Sequence, residues 1–282
     1  MQVFLTVREL SMFLDILLKA KKKIGFVPTM GALHPGHLSL IKKSAEENDI
    51  TVCSIFVNPT QFNNSSDLAN YPRAIESDTA MLKVVACDVL FAPSIEEIYR
   101  QGEVNSTPSI DFQGIEVVME GVYRKEHFKG VVQVVKRLFD IVRPTNAYFG
   151  EKDYQQLVVI KKMVKSLMLP ISIIGCSIVR EVDGLAMSSR NVRLSNEGRK
   201  NAGFIYKTLL VAKQNAHKAS VGDLKKWVTD VLNANEYFRV EYVEIADSTT
   251  LLSTHEWQQS SSQRLFVAVF VDEIRLIDNI VL

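Results

Sequence analysis

Cysteine is scarce in this chain. Three residues, Cys53, Cys87 and Cys176, stand far apart among 282, and none forms a C-x-x-C pair. That excludes a disulfide framework and a cysteine zinc site, and makes a reducing compartment, the cytoplasm, the expectation. Excess charge is missing as well: 33 Lys+Arg against 32 Asp+Glu leave a net +1. A general nucleic-acid binder carries a strong basic excess, so that class is set aside, although a local basic pocket for a small anion is still allowed. Long apolar runs are also absent. The longest clear one, Leu265 to Val271, is too short to cross a bilayer. Arg8, Glu9 and Asp15 interrupt the N-terminus, which does not read as a signal peptide. What is present is an ordinary globular composition, 47% hydrophobic and 23% charged. The length suits one large domain or two smaller ones and can bury a core without structural metal.

Apolar periodicity alternates along the first two thirds of the chain. Residues 8–22 space Leu10, Phe13, Leu14, Leu17 and Leu18 on one helical face. Ile24 to Val27 is a short buried strand closed by Pro28, followed by a turn over Gly31 to Gly36 and an amphipathic helix to Glu47. Ile50 to Val57 is the next strand, 75–86 a helix, and Asp88 to Phe91 a further strand. Ile110 to Met119 is less regular and suggests short strands. Val131 to Val142 is helical and stops before Pro144. Ala147 to Phe149 is a strand, 153–168 a helix, and Ile171 to Cys176 the last strand of the series. Strands alternating with helices predict right-handed crossovers and a parallel sheet. After about Ile178 the texture changes to two helical stretches, 196–217 and 221–234. Three β-rich runs follow, 239–246, 265–271 and 274–282, with Gln258 to Gln263 a short polar loop. The expected organisation is an α/β domain over residues 1–178 and a smaller α+β domain over 179–282.

Four segments carry candidate chemistry. Pro28-Thr29-Met30-Gly31-Ala32-Leu33-His34-Pro35-Gly36-His37 lies between a strand and a helix. Ligands of parallel sheets bind at such carboxyl ends of strands, and a helix start favours phosphate. Two histidines add donors, and Gly36 is read as allowing a nucleotide close to the backbone. Read alone, the pair is a loop feature or part of a zinc site. Zinc wants three or four ligands, and only His127, His217 and His255 remain, with no cysteine near in sequence. Asn58-Pro59-Thr60-Gln61-Phe62 offers neutral amides for a hydroxylated substrate, or is a plain turn. Phe149 to Gln156 is another strand–turn–helix junction. There Lys152 reaches phosphate as a point charge, Asp153 caps the helix or takes a ribose hydroxyl, and Gln156 faces the same junction. Met187-Ser188-Ser189-Arg190-Asn191 reads as a mobile phosphate clamp or simply a loop.

The H-x-G-H pattern in its strand–turn–helix setting matches the nucleotidyltransferases related to class I aminoacyl-tRNA synthetases. The wider set PTMGALHPGH, SIFVNPTQF, DLANYPR, EHFKGV, YFGEKDYQQL, GLAMSSRN and RLIDNI resembles the pantoate–β-alanine ligase family over nearly the whole chain. The resemblance implies a Rossmann-like α/β nucleotidyltransferase domain, a smaller α+β C-terminal domain that lids the site, and a homodimer. It implies ATP-dependent joining of pantoate to β-alanine through pantoyl adenylate, with magnesium held mainly through the ATP phosphates and no dedicated protein metal site. By matching motif, Met30, Gly31, Ala32, Leu33, His34, Pro35, Gly36 and His37 cradle ATP. Gly150, Glu151, Lys152, Asp153, Val179, Met187, Ser188, Ser189 and Arg190 complete that site. His37, His34 and Lys152 are the implied catalytic groups. Gln61 and Gln156 hold pantoate with Asn58 in support, and Gln61 also borders β-alanine. Two positions depart from the family pattern. Lys125-Glu126 stands where Pro-Gly is usual before His127, and Asn63 follows Phe62 where glycine or proline is usual, in a loop read as mobile. A related nucleotidyltransferase with another acceptor would lack the Asn-Pro-Thr-Gln-Phe element, and an inactive nucleotide-binding module would lack His37 or Lys152.

Overall fold

In the computed structural model, residues 1–99, 109–257 and 262–282 are described. The first sheet has six parallel strands: β1 (Gln2–Phe4), β2 (Ile24–Thr29), β3 (Ile50–Ile55), β4 (Val89–Phe91), β5 (Asn146–Gly150) and β6 (Ser172–Cys176). Their order is β1-β4-β3-β2-β5-β6. The chain builds outward from β2 to β3 and β4, then returns to place β5 on the other side of β2. The carboxyl ends of β2, β3 and β5 therefore flank a topological switch point, where a crevice opens above the sheet.

Alternation along the strands sorts the core. Phe26 and Val52 face one layer with Leu10 and Leu14 of α1 (Val7–Lys19), Phe139 of α7 (His127–Val142) and Ile160 of α8 (Tyr154–Ser166). Val27 and Cys53 face the other, with Ile41 of α2 (Pro35–Glu47) and Leu82 of α4 (Ile75–Val84). The start of α1 is set locally, because Thr6 accepts from the Glu9 N–H as its N-cap. Helix α7 ends at Arg143, whose left-handed φ of 51° turns the chain before Pro144.

The second sheet is antiparallel, β7 (Phe238–Asp247), β8 (Gln263–Val271) and β9 (Ile274–Val281), in that order. Its core packs Ile245, Val267 and Val269 against Leu209 of α10 (Phe204–Asn215) and Val228 of α11 (Val221–Asn233). The other face of this sheet sends Ala246 and Phe266 into the core of the parallel sheet.

Several expectations change in detail. Residues 109–119 form turns and irregular backbone rather than strands. Their carbonyls are taken up by a side chain instead: the Gln155 amide donates to Ile115 O and Val118 O, both 2.8 Å, and accepts from Glu120 N–H. The expected helix 196–217 breaks at Gly203 into α9 (Asn196–Ala202) and α10, glycine being a poor helix former. Strand β1 and three short helices, α3 (Ser65–Ala69), α5 (Ile95–Ile98) and α6 (Glu120–Tyr123), were not expected. Most of the Gln258–Gln263 loop lies outside the described residues, and Gln263 opens β8.

Candidate active site

One cavity lies over the switch point. Met30, His34, Gly36 and His37 border it from the turn after β2, and Asn58 and Gln61 from the turn after β3. Gly150, Lys152, Asp153 and Gln156 come from the junction after β5. Val179, Met187, Ser188, Ser189 and Arg190 close it from the segment after β6. Five expected nucleotide-site residues, Gly31, Ala32, Leu33, Pro35 and Glu151, do not border it.

The reason for two of them is Asp78. This buried carboxylate on α4 accepts from Ala32 N–H at 2.8 Å and Leu33 N–H at 2.7 Å. Gly31 and Ala32 take positive φ, 83° and 50°. The two N–H groups that a phosphate nest would offer are thus already occupied, by a side chain of the same protein. Burial raises the Asp78 carboxyl above its ordinary value, although both N–H donors pull it down.

His34 is the N-cap of α2, and its Nδ1 accepts from Gly36 N–H at 3.2 Å. The proton of the neutral ring therefore sits on Nε2. Gly36 borders the cavity, and a Cβ there would stand 2.9 Å from the His34 ring, so the glycine makes room for that ring. The His34 and His37 rings lie 4.0 Å apart. Burial, and then the Lys152 ammonium, lower His34 to about 4. Burial, His34 and Lys152 lower His37 to about 3. Both are neutral at pH 7, so they act as hydrogen-bonding groups rather than as cations. Among the described residues the buried Nδ1 of His37 has no partner, a cost that a bound polar ligand would offset.

Gln61 sits in a 3-10 turn, Pro59–Gln61, pressed against α7. At Gly130 of α7 a Cβ would fall 2.4 Å from Thr60 O and 2.8 Å from Gln61 Cα, so only glycine admits this contact. Asn58 braces the turn. Its Nδ2 donates to Gly130 O at 3.2 Å and Gln61 Oε1 at 3.3 Å, and its Oδ1 accepts from Tyr99 OH at 2.8 Å. With its amide thus engaged, Asn58 supports Gln61. His127, lowered to about 4 by burial and then by Arg124, has Nδ1 2.9 Å from Gln61 O.

The segment after β6 is anchored rather than loose. Ser189 Oγ donates to Ala32 O at 2.9 Å. Arg190 pairs with Asp67 of α3 at 2.7 Å, and Arg193 pairs with the same carboxylate at 2.9 Å. Asp153 is the N-cap of α8 without a side-chain cap bond, so the capping role read from its position is not realised. Asn63 donates to Lys125 O; the two departures from the family pattern are therefore in contact. Glu126 holds a left-handed φ of 66° at the place where the family's usual glycine would fit without strain.

Tyr71, Arg124 and His127 also border the cavity. They lie inside or beside family motifs, but local spacing carries no signal for them. Arg124 is tied to a buried network. Its guanidinium is 3.5 Å from Glu120, which binds Arg275 of β9 twice, at 2.7 and 2.8 Å, and accepts from Tyr242 OH at 2.8 Å. Burial would raise the Glu120 carboxyl, yet Arg275 and Arg124 hold it down to about 2.

This arrangement has neutral donors, one lysine and two arginines around a cleft, with a pair of amides at one side. It suits alignment of two anionic reactants and charge neutralisation on a leaving group. Comparison with known proteins identifies the family. The pantoate-beta-alanine ligase family profile matches residues 2–281. Pantothenate synthetase of Flavobacterium psychrophilum is 48% identical over 281 residues, 99% of each chain. That of Bacteroides fragilis is 46% identical over 280 residues, 99% of this chain and 98% of the other. The crystal structure of the Thermus thermophilus pantothenate synthetase superposes with a TM-score of 0.91 at 43% identity, covering 99% of each chain. A Francisella tularensis pantoate-beta-alanine ligase, solved with beta-gamma ATP and beta-alanine, gives 0.82 at 36% identity over 100% of this chain and 97% of that one. With its cavity at the switch point and its likeness running end to end, the chain belongs to the pantoate–β-alanine ligase family, as an ATP-dependent enzyme that joins pantoate to β-alanine.

Proposed function

We propose a division of labour within this cavity for (R)-pantoate, β-alanine and ATP. A pantoate carboxylate oxygen attacks the α-phosphorus of ATP and pyrophosphate leaves. The β-alanine amine then attacks the acyl carbon of pantoyl adenylate, and AMP leaves with pantothenate formed. His34 and His37 donate neutral N–H bonds to phosphate oxygens, and the Lys152 ammonium neutralises charge on the departing pyrophosphate. Met187 to Arg190, Val179 and Gly150 to Asp153 hold the nucleotide. Gln61 and Gln156 hold pantoate without placing a like charge beside its carboxylate. Arg124, on the Gln61 side, is the cation suited to the β-alanine carboxylate. Magnesium would arrive held mainly by the ATP phosphates and would supply further neutralisation. The donors that face the cavity, chiefly neutral imidazoles, amides and hydroxyls, fit an ion that arrives with the nucleotide.

Residues 1–178 carry pantoate and most of the nucleotide site in this reading, and 179–282 form the lid, which adds Val179 and Met187 to Arg190 to the nucleotide site. The enzyme works as a homodimer in the cytoplasm, where three buried free cysteines suit reducing conditions. The observation that carries the reading is the convergence of His37, Lys152, Gln61 and Gln156 on one cavity. Purified protein given ATP, pantoate and β-alanine should release AMP, pyrophosphate and pantothenate. Turnover with another carboxylate and none with pantoate would sink the assignment.

A further inference from the structure

The segment Arg275 to Ile280 is a motif of the family likeness that the reaction scheme leaves without a role. It lies on β9, in the antiparallel sheet. Asn279 is 2% exposed. Its Nδ2 donates to two backbone carbonyls, Glu151 O and Lys152 O, each at 3.0 Å. Its Oδ1 accepts from Arg264. Both carbonyls belong to the 3-10 turn Glu151–Asp153 between β5 and α8, from which Lys152 enters the cavity. Arg264, also buried, stands 3.6 Å from the Glu151 carboxylate and 3.8 Å over the Tyr154 ring. The neighbouring Asp278 pairs with Arg180 at 2.6 and 3.0 Å, and Arg180 donates to Gly184 O on the approach to Met187. The turn that carries Lys152 is therefore held from behind by a side chain more than a hundred residues away, on the other sheet.

We propose that Asn279 is a positioning residue for adenylation: through two hydrogen bonds it fixes the 151–153 turn, and so the place of the Lys152 ammonium at the ATP phosphates. This rests on the reading of Lys152 as the phosphate cation. A carbonyl in a tight turn between strand and helix has few partners, and rotation of these two peptide units would swing the Lys152 side chain. A displacement of about 1 Å can cost about a hundredfold in rate when alignment supplies the catalysis. Asn279→Asp keeps the size and the acceptor for Arg264, but sets an oxygen against two carbonyl oxygens.

The test is a double-mutant cycle on pantoate-dependent exchange of pyrophosphate into ATP, with aminolysis of isolated pantoyl adenylate measured beside it. Asn279→Asp should slow exchange by about 10–100-fold and leave aminolysis within about threefold of wild type. In a Lys152→Ala background the same change should cost less than about threefold more, because the group it positions is gone. Full multiplication of the two losses, or an equal fall in aminolysis, would overturn the inference while leaving the role of Lys152 intact. A Lys152→Ala enzyme that exchanges at the wild-type rate would overturn both. If Asn279→Asp does not fold, Asn279→Ala goes through the same cycle with the same expected outcomes.

Discussion

The turn after β2 and the turn after β5 leave adjacent strands of one sheet, enter helices and face the same cavity, yet they are held in different ways. The first is braced mainly from within its own sheet layer, with one further bond from Ser189 to Ala32 O. Asp78 takes two of its N–H groups, and His34 caps its helix. The second has no side-chain cap and is held through its carbonyls by Asn279 from the antiparallel sheet. The difference assigns tasks. The histidine turn takes most of its bracing from the parallel-sheet layer, and it presents neutral imidazoles. The lysine turn is bonded by the second sheet, so in the proposed scheme the cation assigned to the leaving group depends on residues 179–282. The two turns are coupled at the ring and ammonium level, since Lys152 helps to lower both histidines.

The largest expected effects come from removing the groups themselves. His37→Ala and Lys152→Ala should each slow adenylation by about 10²–10³-fold, the scale for one preorganised donor, in proteins that remain folded. Single-turnover adenylation at the wild-type rate in folded His37→Ala would remove that residue from the mechanism. The comparison also carries a pH signature. His34, His37 and His127 have folded-state values near 4, 3 and 4, below the ordinary 6.5. The unfolded chain therefore binds more protons than the folded one between those values and 6.5. Stability is fully present above about 6.5 and declines as pH falls toward the folded values. Adenylation should show no imidazole inflection between about pH 5 and 8; a rate that rises as pH drops through 6.5 would mean a working imidazolium.

Bracing comes next. Asp78→Ala leaves two N–H groups without their acceptor, each at a cost of about 1–3 kcal/mol where buried. Denaturant unfolding should show the loss, and KM for ATP should rise as the histidine turn loosens. An enzyme of unchanged stability and KM would mean that the turn holds itself. On the acceptor side, Gln61→Ala should weaken pantoate by about 1–3 kcal/mol and slow aminolysis, whereas Gln156→Ala should act mainly on adenylation. Calorimetry and separate half-reaction rates distinguish them, and unchanged pantoate affinity in both would place the pocket elsewhere. The smallest effect is at a departure from the family pattern. Glu126→Gly relieves a left-handed backbone that costs about 1 kcal/mol or more and loses only an exposed pairing with Lys129. It should raise stability slightly, and a fall in the unfolding midpoint would refute the strain.

Local pattern made much of this legible. The strand ends at Thr29, Ile55 and Gly150 follow from apolar runs closed by proline, glycine and polar residues, and these ends carry His37, Gln61 and Lys152. Strand β1 was invisible because three residues show no period; it exists by pairing Val3 with Leu90. The braces were invisible for the same physical reason. Asp78 lies 45 residues from Leu33, Asn279 lies 127 from Lys152, and Arg190 meets Asp67 across 123. Each is an ordinary polar residue until the fold brings its partner near. Gly36 shows a subtler limit: its need for a bare Cα was legible, but the close contact with the His34 ring was not.

The central claim is that the turns after β2, β3 and β5 build one adenylation site that accepts pantoate before β-alanine. Exchange of labelled pyrophosphate into ATP measures this directly, because it runs only if an acyl adenylate forms reversibly. Exchange should require pantoate, proceed without β-alanine, and slow by about 10²–10³-fold in Lys152→Ala. Exchange that proceeds without pantoate, or that needs β-alanine to start, would contradict it.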